Sequence, residues 1–389
     1  MRGHLRVRAY NDNMAHPDVL IVGGGVIGLT CGYFLAKEGL AVEVLDRGPL
    51  AAEASWAGAG IIPPGNPDGV RSPYDRLRAI SSQMFQPLSA ELADRTGIDN
   101  GYRVCGGVEF PQSVDATDVA GWEEEGITFE VLSAARLRAL EPALADGSGP
   151  AFYFPGMAQV RNPRHLRALT SACRSLGVGV AEHTPVIGWE LTGERVTAAR
   201  LPDGVRRPAG QFLIAAGAWS DQLLSPLGLV AGVRPVRGQI VLLKAPAPPF
   251  RPILLHGKNY LVPRDDGRVL VGSTEEPEAG FVKQTTAEAV AGLIRLAIGL
   301  VPALARADVE RAWAGLRPGS QDALPCLGPV PRFGNAFVAA GHFRAGIQLS
   351  TGTGLLLTQC LTGKALAIPL DTFRPDREPN LGFAPVFRS

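Results

Sequence analysis

Apolar residues along this chain fall into two rhythms, short continuous runs and helical spacings, and their order predicts the fold. Asp18-Val19-Leu20-Ile21-Val22 is a short, partly β-branched run that stops at Gly23. Residues 26–38 then carry apolar side chains at helical spacing up to Gly39, and Ala41-Val42-Glu43-Val44-Leu45 forms a second run closed by Asp46. Strand, helix and strand within about 30 residues predict a βαβ unit with parallel strands and a right-handed crossover. Apolar runs without strict alternation fit a sheet covered on both faces.

Downstream, the spacing predicts a helix over 77–92 and a strand over 102–110 that leads into a charged stretch at Trp122-Glu123-Glu124-Glu125. A helix is expected behind Asn162-Pro163, with Asn162 as its cap and Pro163 in its first turn. Gln211-Phe212-Leu213-Ile214-Ala215-Ala216-Gly217 reads as a buried strand ending in glycine. Between 235 and 272 the pattern becomes antiparallel. Arg264-Asp265-Asp266-Gly267-Arg268 marks a hairpin turn between Tyr260-Leu261-Val262 and Val269-Leu270-Val271. Phe337-Val338-Ala339-Ala340 is a last strand, followed by a glycine-rich turn and an apolar helix over about 348–361. Parallel-type pieces lie at both ends and in the middle, with antiparallel pieces inserted between them. Two interleaved domains are therefore expected, of α/β and α+β type.

Composition narrows the partners. A chain of 389 residues suits two domains, and 46% apolar with 19% charged residues is an ordinary globular balance. Lys+Arg at 38 against Asp+Glu at 37 gives a net charge of +1, which offers no electrostatic case for nucleic acid or an anionic membrane. Five scattered cysteines without a C-x-x-C pair read as reduced thiols in a cytoplasmic protein. Residues 1–14 carry Arg2, Arg6 and Arg8 but no apolar run. They read as an extension rather than a secretory signal, with Met14 a candidate start. No window approaches the roughly 18 uncharged apolar residues of a membrane span, and no histidine spacing suits a metal.

The chemistry begins at Val22-Gly23-Gly24-Gly25-Val26-Ile27-Gly28, which satisfies G-x-G-x-x-G through Gly23, Gly25 and Gly28. In a Rossmann-type unit the first glycine makes the turn, the second admits a diphosphate, and the third lets helix and strand pack closely. The helix start offers N–H groups and a positive dipole end to the diphosphate. Asp46 ends the second strand eighteen residues beyond Gly28, where an acid accepts from ribose hydroxyls. The motif alone does not separate FAD from NAD.

Further segments carry a resemblance. These are Glu53-Ala54-Ser55-Trp56-Ala57-Gly58-Ala59-Gly60-Ile61, Gly315-Leu316-Arg317-Pro318, and Gly341-His342-Phe343-Arg344-Ala345-Gly346-Ile347. Together with Tyr260-Leu261-Val262-Pro263-Arg264 and Gly272-Ser273-Thr274, the chain from Asp18 onward resembles the D-amino-acid-oxidase superfamily and, within it, the glycine oxidases of the thiamine pathway. The resemblance implies non-covalent FAD and oxidation of glycine or a similar small amino acid to the imine. Oxygen would accept the electrons, giving hydrogen peroxide, and the imine would hydrolyse or pass to thiazole synthesis.

The FAD-binding domain is then expected over 15–100, 150–230 and 315–389, and the substrate-binding domain, with its antiparallel sheet, over 101–149 and 231–314. The resemblance further implies that Val26, Ile27, Asp46, Arg47, Ala54, Ser55, Ala59, Gly60, Ile61 and Val186 line the cofactor. So would His342, Phe343, Arg344, Ala345, Gly346, Ile347 and Gln348, and Gly217 is counted with them. Arg317, Tyr260 and Arg344 match the positions that hold substrate. A homo-oligomer is compatible with this reading.

These residue types make chemical sense. A guanidinium such as that of Arg317 fixes a carboxylate by two parallel charge-assisted hydrogen bonds. Read without the resemblance, Arg317 reads rather as a surface arginine in a Pro/Gly loop. Tyr260 offers a hydroxyl to the same carboxylate or a ring to the core, and Arg344 meets substrate or flavin or caps its turn. The helix behind the 341–346 turn would stabilise negative charge on a reduced flavin. Oxidation by hydride transfer from a neutral amine requires no protein base, and His342 reads as a turn residue. Glu275 stands where the resemblance predicts a smaller or apolar residue. It reads as an exposed hairpin carboxylate; pointing inward, it would favour a substrate with a second cation or have its own pKa raised. Lys258 is a second departure. Two other functions remain open on sequence: a dehydrogenase that passes electrons to a quinone or protein, and a flavin-binding subunit without catalysis.

Overall fold

The Val19–Val22 run takes a central place in a six-stranded sheet of a computed structural model that describes residues 16–382 except 71, 112 and 113. The expected extension 1–14 lies outside the described residues. The sheet runs Cys326–Pro329, Ala336–Ala340, Gln211–Ile214, Val19–Val22, Val42–Leu45 and Gly179–Ala181; all neighbours are parallel but the first two strands. Because side chains alternate along a strand, Val19 and Ile21 face one way, into a core with Leu29, Leu77, Leu169 and Leu349. Those four come from the helices Val26–Lys37, Pro73–Thr96, Asn162–Ser175 and Gly346–Thr362. Leu20 and Val22 face the other way, against Trp189, Val196 and Ala199 of a three-stranded antiparallel meander. Burial on both faces explains why these strands lack polar alternation.

The second large sheet has eight strands, in the order Asp308–Gly319, Arg234–Lys244, Arg268–Gly272, Asn259–Pro263, Ile253–His256, Gly107–Glu109, Ala151–Phe154 and Glu130–Leu132. The expected hairpin is present: Arg264 N–H donates to Arg268 O at 2.7 Å, and Gly267 adopts φ +79°. One face packs Val241, Leu261 and Val271 against the helix Ala287–Leu300. The opposite face carries Ile240, Tyr260 and Leu270. Strand alternation alone separates Tyr260 from Leu261 and aims it at the six-stranded body.

Several boundaries differ from expectation, each for a local reason. The strand expected over 102–110 breaks into Arg103–Val104 and Gly107–Glu109, because Gly106 turns left-handed at φ +76°. Asn162 does not cap its helix. It is the first helical residue, and its side-chain amide donates instead to Ser55 O at 2.9 Å. The strand expected to end at Gly217 stops at Ile214, and Gly217 opens a 3-10 turn, Gly217–Trp219. Ala151–Phe154 pairs with Gly107–Glu109, so the chain leaves the eight-stranded sheet after 154, not at 150. Asp308–Gly319 likewise continues across the expected boundary at 314. No helix among the described residues is long and apolar enough to cross a membrane, and no group of them could hold a metal ion.

Candidate active site

The two sheets enclose a cavity of about 790 Å³, which lies within the range of small-molecule and cofactor sites. One end is the turn after the first strand. Gly23 adopts φ +114°, and a Cβ there would lie 2.3 Å from Ala215 O. A Cβ on Gly28 would lie 1.9 Å from Gly23 O. Gly28 therefore serves close packing of helix on strand, while Gly23 and Gly25 line the cavity wall. The helix Val26–Lys37 begins on this wall with no acidic residue in its first turn. Its Val26 N–H donates to Ser55 Oγ at 2.9 Å, which ties the 54–57 segment to the glycine turn.

Asp46 closes that end. Its carboxylate accepts from Gly24 N–H at 2.7 Å and Gly48 N–H at 2.9 Å, and its remaining lone pairs are available to a ligand. Burial raises its pKa against the pull of those two amides. Arg47 lies 3.5 Å over the Trp219 ring, which also lines the wall. Nothing local in the sequence marks Trp219. Behind the opposite wall, Arg264 is buried and donates to Gln159 Oε1, Val160 O and Ala59 O, fixing the loop that carries Ala59, Gly60 and Ile61. Burial, with Arg161 and Arg103 nearby, lowers its pKa to about 9.

At the far end two side chains meet across two glycines. Arg317 and Tyr260 stand on strands separated by Arg234–Lys244 and Arg268–Gly272. At the crossing, the intervening strands present Gly238 and Gly272. A Cβ at 238 would lie 2.1 Å from Arg317 Nη1, and one at 272 would lie 2.6 Å from the Tyr260 hydroxyl. Absence of side chains at these positions is what lets both groups lie over the sheet toward one another. Arg317 Nη1 donates to Thr274 O at 3.1 Å and Nη2 to Ser273 Oγ at 2.5 Å. These are neutral acceptors. Burial lowers its pKa, Tyr260 opposes that shift and Arg344 adds to it. Arg317 is thus a strand residue facing a cavity, not part of a surface loop.

The last wall is the turn before Gly346–Thr362. His342 is buried, with its Nε2 3.0 Å from Thr353 Oγ1, and burial lowers its pKa to about 3. Gln348 donates to Ser82 Oγ at 2.8 Å. Arg344 Nη1 donates to Glu275 Oε2 at 3.2 Å and Nη2 to Lys258 O at 2.8 Å. Glu275 is therefore not an exposed hairpin carboxylate: it lines the cavity and also meets Lys258 Nζ at 3.3 Å. Burial pushes its pKa upward, but Lys258 and Arg344 outweigh it, and the net shift is downward. Apart from Gly28, every residue expected at cofactor or substrate lines this one cavity, Val186 and Gly217 included.

A glycine turn opening onto a helix start, an acid at the next strand end and a long cavity that also reaches a buried guanidinium are the features of a dinucleotide-dependent enzyme class. The family description "FAD dependent oxidoreductase" (DAO) matches residues 18–360, and the chain belongs to this family. It is 37% identical to the glycine oxidase of Pseudomonas putida over 362 residues, 92% of this chain and 98% of that one. The glycine oxidase structure from Geobacillus kaustophilus superposes with a TM-score of 0.86 at 33% identity, over 94% of this chain and 100% of that one. An iminodiacetate oxidase from Chelativorans sp. BNC1 superposes with a TM-score of 0.81 at 28% identity, over 92% and 98%. The residues present fit FAD. The cradle beside Gly23 and Gly25 has no side chain to fill it, the helix start carries no competing acid, and Asp46 keeps acceptor capacity.

Proposed function

We propose that the protein oxidises glycine or a similarly small amino acid to the imine with non-covalently bound FAD, and that oxygen takes the electrons to give hydrogen peroxide. The observation that carries this reading is the Arg317–Tyr260 pair at the end of the cavity opposite the glycine turn. The glycine oxidase relatives support the choice of substrate. FAD bound along the cavity supplies a two-electron acceptor. The substrate loses two electrons and two protons, oxygen gains both to become hydrogen peroxide, and hydrolysis of the imine releases ammonia.

In this reading the Val26–Lys37 helix start holds the diphosphate, and Asp46 accepts from a ribose. Arg317 and Tyr260 fix the substrate carboxylate, which sets the direction of the Cα–H bond. The Gly346–Thr362 helix start stabilises negative charge near the ring system. His342 contributes no base, since it is neutral and hydrogen-bonded to Thr353. The body around the six-stranded sheet would carry the cofactor and the eight-stranded sheet the substrate, in a cytoplasmic protein whose cysteines stay reduced. Anaerobic addition of glycine to the holoenzyme should bleach the flavin absorbance, and air should restore it with stoichiometric peroxide. A flavin left oxidised by glycine, sarcosine and small D-amino acids sinks the reading; bleaching without peroxide on reoxidation replaces oxygen by another acceptor.

A further inference from the structure

The wall beside Arg317 holds a charge arrangement that the reaction itself does not require. Arg344 projects from the turn before the last helix, Glu275 from the loop after Arg268–Gly272, and Lys258 from the turn before Asn259–Pro263. All three line the cavity. Glu275 spans the two cations, 3.2 Å from Arg344 Nη1 and 3.3 Å from Lys258 Nζ, while the second arm of Arg344 is held by Lys258 O. The Arg344 side chain is only 14% exposed, so water does little to screen its charge.

We propose that Glu275 determines substrate specificity by occupying the Arg344 guanidinium, restricting the site to amino acids with a single carboxylate; this rests on the amino-acid reading above. A monocarboxylic zwitterion needs one cation, and Arg317 provides it. A substrate with a second carboxylate needs another, and Arg344 is the partly buried cation beside Arg317. Glu275 already fills that place. An incoming second carboxylate must displace Glu275 and then lie next to it, which sets two like charges in a poorly solvated space. The same pairing answers the opposite possibility. With both its oxygens engaged by Lys258 and Arg344, Glu275 is not free to recruit a substrate with a second cation. Its lowered pKa agrees with a carboxylate that stays ionised in this place.

The test compares ligands that differ by one carboxylate, on the holoenzyme. Kinetics give kcat/KM for iminodiacetate relative to glycine. Titration of the flavin spectrum gives Kd for malonate relative to acetate, a readout that needs no turnover. Wild type should favour glycine and acetate. Glu275→Gln keeps shape and hydrogen-bonding capacity while removing the charge, and should shift both ratios toward the dicarboxylate by about tenfold or more. Adding Arg344→Gln to that variant should abolish the gain. Wild type that handles iminodiacetate as well as glycine overturns the proposal, and this comparison stands even if the variant does not fold. So do ratios unchanged by Glu275→Gln, or a gain that survives Arg344→Gln. Failure of glycine to reduce the wild-type flavin removes the amino-acid reading instead, and the malonate-to-acetate ratio still decides what Glu275 does.

Discussion

The two ends of the cavity are made of different material. At the dinucleotide end the wall is largely backbone: a left-handed glycine, a helix start and an acid held by two amides. At the far end the wall is side chains, a guanidinium and a phenol laid over glycines on intervening strands. Backbone sites are fixed by the fold and tolerate no added atoms. Side-chain sites are fixed by neighbours and lose function in steps. The sharpest test is Gly28→Val. Its nearest obstacle is Gly23 O at 1.9 Å, a backbone atom that cannot rotate away. This variant should be recovered without flavin or not fold at all, read from the ratio of flavin to protein absorbance. Retention of full flavin content would show that this end is softer than its geometry indicates.

Arg317→Ala should leave flavin content intact and lower glycine kcat/KM by a hundredfold or more, about 3 kcal/mol for a buried charged hydrogen-bonding group. Loss of flavin in this variant would mean that the two ends are not separable. Acid stability probes two buried histidines. His165 belongs to the helix whose Asn162 holds the Ser55 segment, and His342 to the turn facing Arg317. Burial lowers their pKa values from 6.5 to about 4 and about 3. The unfolded chain therefore binds protons first as pH falls. Stability is complete above pH 6.5 and declines below it toward the folded pKa values, by about 2 kcal/mol for each histidine at pH 5. The melting temperature should fall between pH 7 and pH 5, and His165→Asn or His342→Asn should each flatten that fall; an unchanged slope in both variants refutes it.

The same contrast explains what was legible in the sequence. The Gly23 turn, its helix and Asp46 are contiguous and obey local rules, so a linear reading finds them and assigns each a role. Tyr260, Arg317, Gly238 and Gly272 belong to four strands brought together only by sheet order. Resemblance located the first two, but the roles of Gly238 and Gly272 as clearances emerge only from three dimensions. A tryptophan after Gly217 has no local signal, and Arg264 shows in the sequence as part of its hairpin and of the 260–264 segment but not as the residue that holds the Ala59 loop. Glu275 reads as exposed in the sequence because its partners, Lys258 and Arg344, are not its sequence neighbours. Gly238→Ala makes this point measurable. A methyl there displaces the guanidinium, and overpacking of this kind costs about 1–2 kcal/mol, so KM for glycine should rise about tenfold with flavin content unchanged. An unaltered KM would mean that Arg317 has another route to the substrate.

Tyr260→Phe has the smallest expected effect and isolates the neutral half of the far end. Tyr260 is 8% exposed and packs with Ile240 and Leu270, so phenylalanine keeps the core intact. Only the hydroxyl beside Arg317 is lost. A neutral hydrogen bond contributes about 1 kcal/mol, which predicts a rise in KM of roughly fivefold with kcat little changed. Arg317 carries the charge and Tyr260 the alignment, so the two losses should not simply add. The double variant Tyr260→Phe/Arg317→Ala should be scarcely worse than Arg317→Ala alone, because the carboxylate has already lost its anchor. Full additivity would place the hydroxyl on some other part of the ligand.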